Sequence, residues 1–115
     1  MDPIFGEQGP LVTVHISVRG QVMFEADSTP IPGAMVSFGS GGYFSFAIVH
    51  DSAAADSSGR YEVAGTIEYH EGSCPFLWIS ARAEGYEVPS MEDSRLRVGC
   101  TSGEQQIRVR LKRRT

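Results

Sequence analysis

From Val12 the chain alternates strictly: Val12, Val14, Ile16 and Val18 are interleaved with Thr13, His15, Ser17 and Arg19. A period of two predicts a strand with one apolar row on a core and one polar row in water. Gly20 interrupts the pattern, and a bulge or bend is expected there before Gln21 to Phe24 continue it. Pro30 and Pro32 forbid helix, and Gly33 supplies the positive φ that starts a new strand, in which Ala34, Val36 and Phe38 face one way and Met35 and Ser37 the other. Gly39-Ser40-Gly41-Gly42 reads as a flexible turn. Tyr43 to Val49 resumes a β-rich stretch with Phe44, Phe46 and Ile48 on one face.

Asp51 to Ser58 reads as a strand end and loop, because Ala53-Ala54-Ala55 is too short to nucleate a helix. Asp56-Ser57-Ser58-Gly59 has turn chemistry, with Asp56 able to bond the backbone ahead of it and Gly59 suited to the last position. Arg60 to Ala64 follows as a short strand. Pro75 to Glu84 is the second strong strand, with Leu77, Ile79, Ala81 and Ala83 on one face and Phe76, Trp78, Ser80 and Arg82 on the other. Gly85 and Tyr86 form a corner, Ser90 to Ser94 a polar loop, Leu96 and Val98 a short strand, and Ile107, Val109 and Leu111 the last one. Apolar residues nowhere recur at helical spacing over ten or more positions. The pattern predicts an all-β chain, an antiparallel sandwich of seven to eight strands.

The 115 residues suffice for one domain and one core. The expected layout is an N-terminal tail over 1–10, a sandwich over 11–112 and a basic tail over 113–115. No run approaches the roughly 18 apolar residues of a spanning helix, so membrane insertion is not expected. The opening Met1-Asp2-Pro3-Ile4-Phe5-Gly6 has no basic segment followed by an apolar one, hence no signal peptide in the given sequence. Net charge is −4, yet seven of the ten basic residues lie from Arg95 onward, against Glu104 alone. Arg108, Arg110, Lys112, Arg113 and Arg114 could mark a nucleic-acid surface. Their alternation with Ile107, Val109 and Leu111 instead fits a strand with a solvated, edge-guarding face, so no nucleic-acid partner is expected.

Cys74 and Cys100 leave no thiol over if they pair. Their positions beside the Trp78 and Val98 strands, at one end of the predicted sandwich, favour a disulfide and with it an exported location: periplasm, cell surface or medium. Two cysteines without a nearby His or third Cys make a poor zinc site, and no metal or other cofactor is expected.

Five phrases taken in order resemble a known family: Val18-Arg19-Gly20-Gln21-Val22, Pro30-Ile31-Pro32-Gly33-Ala34-Met35-Val36, Asp56-Ser57-Ser58-Gly59-Arg60-Tyr61-Glu62-Val63, Ala83-Glu84-Gly85-Tyr86, and Ile107-Arg108-Val109-Arg110-Leu111. Together they look like the carboxypeptidase-regulatory-like domain. The resemblance implies a prealbumin-like, immunoglobulin-like sandwich appended to a larger exported enzyme, receptor or surface protein, without chemistry of its own. The Tyr43-to-Val49 segment and the cysteine pair depart from that family's general pattern.

Two related sandwich families are enzymes. Intradiol dioxygenases bind iron through two Tyr and two His, the latter as His-x-His; here His15, His50 and His70 form no such pair, and Tyr61 and Tyr86 occupy packing positions of the pattern. Hydroxyisourate hydrolases end in a Tyr-Arg-Gly-Ser type tail, where this chain ends Leu111-Lys112-Arg113-Arg114-Thr115. No Gly-x-Ser-x-Gly elbow is present. His50 and Asp51 are adjacent and, on a regular strand, would point to opposite faces; His15 lies on a polar row and His70 reads as a turn residue. No catalytic residues are therefore assigned.

Phe76 and Trp78 remain the candidate binding surface, since aromatics on an outer sheet face can stack on a sugar or anchor a protein. The competing role is cover for the core at a sandwich end. The expectation is a non-catalytic module that contacts another protein or another domain of its parent chain, with a glycan or small ligand as the alternative partner.

Overall fold

The computed structural model describes residues 9–41, 48–87 and 96–114. They hold eight strands and no helix: β1 Leu11–Phe24, β2 Met35–Ser40, β3 Ile48–Ala54, β4 Arg60–His70, β5 Leu77–Arg82, β6 Leu96–Val98, β7 Gly103–Gln106 and β8 Val109–Leu111. Two sheets result. One has β1 at its centre, between β4 and the successive short strands β7 and β8; the other runs β3-β2-β5-β6. The all-β sandwich read from the alternation is thus present.

Its pairing departs from the antiparallel expectation. The second sheet is antiparallel throughout, whereas β1 pairs antiparallel with β4 but parallel with β7 and β8. Parallel partners need a long return connection, which alternation within a strand cannot report. The core lies between the sheets, where Val18, Val22, Val36, Phe38, Leu77 and Ile79 are each fully buried. Burying one such side chain contributes about 2 kcal/mol over leaving it in water. Both rows predicted to face inward, Ile16 and Val18 on β1 and Ala34, Val36 and Phe38 around β2, do so.

Other strand boundaries need correction, each at a glycine: Gly20, Gly39 and Gly65. β1 does not bend at Gly20: its ladder to β4 runs unbroken through Gly20↔Tyr61 and Gln21↔Arg60. The Gly39-Ser40 pair is not a turn but the end of β2. Asp51 to Ala54 are the end of β3 and the loop begins at Ala55, as the sequence suggests. β4 runs to His70 instead of stopping at Ala64, because the space above Gly65 is filled by Phe38 and His50 from the facing sheet. The Phe44 and Phe46 positions and the Ser90–Ser94 loop lie outside the described residues.

The predicted turns are in place. Gly33, Gly59 and Gly85 have φ of 80°, 75° and 87°, in the left-handed region that favours glycine. Asp56 Oδ1 accepts the Ser58 and Arg60 amides at 2.8 and 2.9 Å, and Pro30 bridges to Met23. Pro32 is exposed next to the buried Ile31. Tyr86 bridges to Arg113, and the Arg114 amide donates to the Gly85 carbonyl, so backbone contacts continue past Lys112.

Candidate functional site

The cysteines are joined. The Cys74–Cys100 disulfide, with Cα atoms 6.2 Å apart, ties the segment before β5 to the segment after β6. Tyr69 on β4 donates its hydroxyl to the Cys100 carbonyl at 3.2 Å, which attaches the same end to the first sheet.

Trp78 does not form an exposed surface. It is on the outer row of β5, as alternation requires, yet it is only 4% exposed. Its cross-strand partner on β2 is Gly39, and a Cβ at Gly39 would overlap the indole, so the ring lies over the glycine. The indole Nε1–H donates to the Gly41 carbonyl at 3.1 Å. A tryptophan covering a strand glycine restores the apolar contact that the missing side chain leaves open. Phe76 is half-buried, and the Arg97 guanidinium stands 5.5 Å from its ring centroid. The two residues are therefore close in sequence with separate roles: Trp78 is buried against the outer side of β2, and Phe76 is partly covered by a cation.

The histidines fall on three strands. His15 on β1 hydrogen-bonds with the Thr66 hydroxyl at 2.9 Å, and His70, the last residue of β4 rather than a turn residue, contacts the Gly9 carbonyl through Nδ1 at 3.0 Å. His50 lies at a β-bulge, since Phe38 pairs with Asp51 but Gly39 with Val49, leaving His50 as the extra residue. A bulge cancels the alternation of faces. Accordingly His50 packs 5.7 Å from the Phe38 ring while Asp51 Oδ2 accepts the Ala64 amide of β4 at 2.9 Å, so both reach the facing sheet.

One pairing was invisible in the sequence. Ser40 Oγ and His50 Nε2 are 2.9 Å apart, the contact a serine nucleophile and its base would make. Ser40 is only 8% exposed, and the contact joins β2 to β3 beside the bulge. Tyr61 donates its hydroxyl to the Ile107 carbonyl at 2.6 Å, and burial pushes its pKa up to about 12, away from the phenolate an iron ligand would be. Among the described residues no three His, Cys, Asp or Glu side chains gather as metal ligands.

A further feature is on the outer face of the first sheet. β7 ends at Gln106 and β8 begins at Val109, and opposite the gap a hollow of about 770 Å³ is lined by Arg19, Gly20, Gln21, Arg60, Gln106, Ile107 and Arg108. At the gap the Ile107 carbonyl sits where a Gly20 Cβ would be, on the core side, and takes the Tyr61 hydroxyl there. The Ile107 amide still donates to the Arg19 carbonyl at 2.8 Å.

No family model matches the chain, and no curated protein matches it. Among solved structures, a 9R-lipoxygenase from Cyanothece PCC8801 is similar in fold, with a TM-score of 0.53 and 14% identity over 84% of this chain and 16% of that one. The chain therefore spans about a sixth of that enzyme's length. At this identity the likeness concerns the fold alone.

Proposed function

We propose that the chain is a non-catalytic accessory module of the carboxypeptidase-regulatory-like, prealbumin-like kind, which docks or braces a larger exported or surface protein. The observation that carries this reading is the use to which its reactive side chains are put. Tyr61, Tyr69, Ser40, His50 and the cysteine pair all hold strands together instead of converging on an accessible point. Support for an appended module also comes from the lipoxygenase, where the similar part is a small share of a much longer chain. A disulfide is compatible with an exported location.

An antibody against the chain, used on fractions of the source cells, tests the reading. The expected antigen is a polypeptide much larger than 12.5 kDa in an exported fraction, with the cysteines oxidised. A cytoplasmic species of 12.5 kDa with free thiols would refute it.

The alternative, a module for a glycan or other small ligand, is favoured by one observation: the arginine-lined hollow beside Gly20. It loses the Trp78 platform, because that ring is buried.

A further inference from the structure

We propose that the hollow at the β7–β8 gap binds a tetrahedral oxyanion, the sulfate or phosphate group of a small ligand. This rests on no part of the docking reading, since it concerns a different face chemistry and holds whether or not a larger protein is attached.

The hollow exists because the edge of the first sheet is discontinuous. β7 pairs with Ile16–Arg19 and β8 with Val22–Phe24, both parallel and in the same register, so Ile107 and Arg108 would have completed the ladder opposite Gly20 and Gln21. Instead the Ile107 carbonyl turns to the core side, a move that only a glycine at position 20 permits and that Tyr61 stabilises. The displaced backbone opens the opposite, solvent side. Three arginines from separate strands or connections line that opening: Arg19 of β1, Arg60 of β4 and Arg108 of the gap itself.

The lining contains three cations and two side-chain amides and no carboxylate. The acidic groups around it are otherwise engaged. Glu62 and Glu104 both contact Arg19 Nε, at 3.4 and 3.2 Å, and offset its charge, so the attraction for an anion comes from the other two arginines. Asp56 accepts two backbone amides of its own turn and is also attracted by the Arg60 charge, though not at ion-pair distance. Arg60 and Arg108 have no carboxylate within ion-pair distance among the described residues.

Planar guanidinium forks approaching from different strands match an acceptor with oxygens in several directions. A tetrahedral oxyanion presents such oxygens; a carboxylate offers one plane and suits a single fork. Gln21 and Gln106 add neutral donors at the rim, although Gln21 Nε2 already donates to the Ser58 carbonyl at 2.8 Å and so serves to hold the β4 side of the hollow.

The test is a titration of the nitrogen-labelled chain with inorganic sulfate and, separately, inorganic phosphate, against sodium chloride at matched ionic strength. Saturable shifts of the Gly20, Gln21 and Arg108 amides are expected. Arg60→Gln and Arg108→Gln should each weaken binding about fivefold, the size of one solvent-exposed charged contact, while Arg110→Gln, on β8 outside the hollow, should leave it unchanged. The spectrum of each variant reports whether it remains folded. Shifts that rise linearly and equally with chloride, or an equal loss in Arg110→Gln, would overturn the proposal. A sulfated and a phosphorylated monosaccharide form the last arm, and the one that binds more tightly than its free ion assigns the source of the group.

Discussion

Gly20 and Gly39 both lie inside strands, and both are needed for the volume a side chain would take, but what fills that volume differs. At Gly20 it is a backbone carbonyl, that of Ile107, entering from the core side. At Gly39 it is chiefly the Trp78 indole, lying across the outer side of the second sheet, with the Ile48 carbonyl beside it. The first arrangement interrupts the ladder at a sheet edge and leaves an exposed hollow; the second closes an outer face that would otherwise be open. A glycine in a strand thus marks close approach, and the identity of the approaching group decides whether the result is an opening or a seal.

Removing the seal should have the largest effect. Trp78→Ala is expected to cost about 4 kcal/mol in chemical denaturation, because a nearly fully buried indole leaves a cavity and an unpaired Gly41 carbonyl. A loss under about 1 kcal/mol would return Trp78 to the surface role. Gly39→Ala in the Trp78→Ala background sharpens the point: the pair should be less destabilised than the sum of the single changes, since the new methyl no longer meets the indole and is opposed only by the Ile48 carbonyl.

Gly20→Ala attacks the other arrangement and should cost about 3 kcal/mol, because the obstructing atom is backbone and cannot rotate away. If the protein tolerates it, the Ile107 carbonyl must move, and the Tyr61 contact with it. Replacing both cysteines by serine should cost about 2.5 kcal/mol for a bond that closes a separation of 26 residues, seen as a lower denaturation midpoint matching that of the reduced wild type. A midpoint unaffected by reductant would show that the end near Phe76 is held without it.

How far these regions were legible from sequence follows from what surrounds them. β1 could be read residue by residue since its outer row, Thr13 to Arg19, faces water and its inner row faces the core, which is the condition under which alternation carries information. Gly33, Asp56, Gly59 and Gly85 were legible because turn chemistry is local. β2 and β3 were not. Trp78 covers the outer side of β2, and the bulge places His50 and Asp51 against the same facing sheet, so neither the two-face rule nor the adjacency rule held there. Gly39 read as a turn, and the strand from Arg60 ended one residue before Gly65, because the partners of these glycines, Trp78, Phe38 and His50, are far away in sequence. The hollow escaped notice for the same reason: Arg19, Arg60 and Arg108 come together only through strand pairing, and the basic C-terminal run drew attention to an edge instead of to one arginine of it.

The smallest expected effect concerns the hydroxyl beneath Gly20. Tyr61→Phe keeps the buried ring and deletes only the donor to the Ile107 carbonyl, so the cost should be about 1 kcal/mol, the net value of one such hydrogen bond. Its pH signature is more telling than its size. Burial raises the Tyr61 pKa from the ordinary value of 10.0 to about 12. The folded state therefore keeps a proton that the unfolded chain releases, and the stabilisation is complete below pH 10.0 and is lost as pH rises to about 12. The wild type should lose stability through that window, with tyrosinate absorbance rising late for one residue, and Tyr61→Phe should lack that step. An identical alkaline profile in the two proteins would mean that the hydroxyl is already in water, and that the Ile107 carbonyl is not held on the core side of β1.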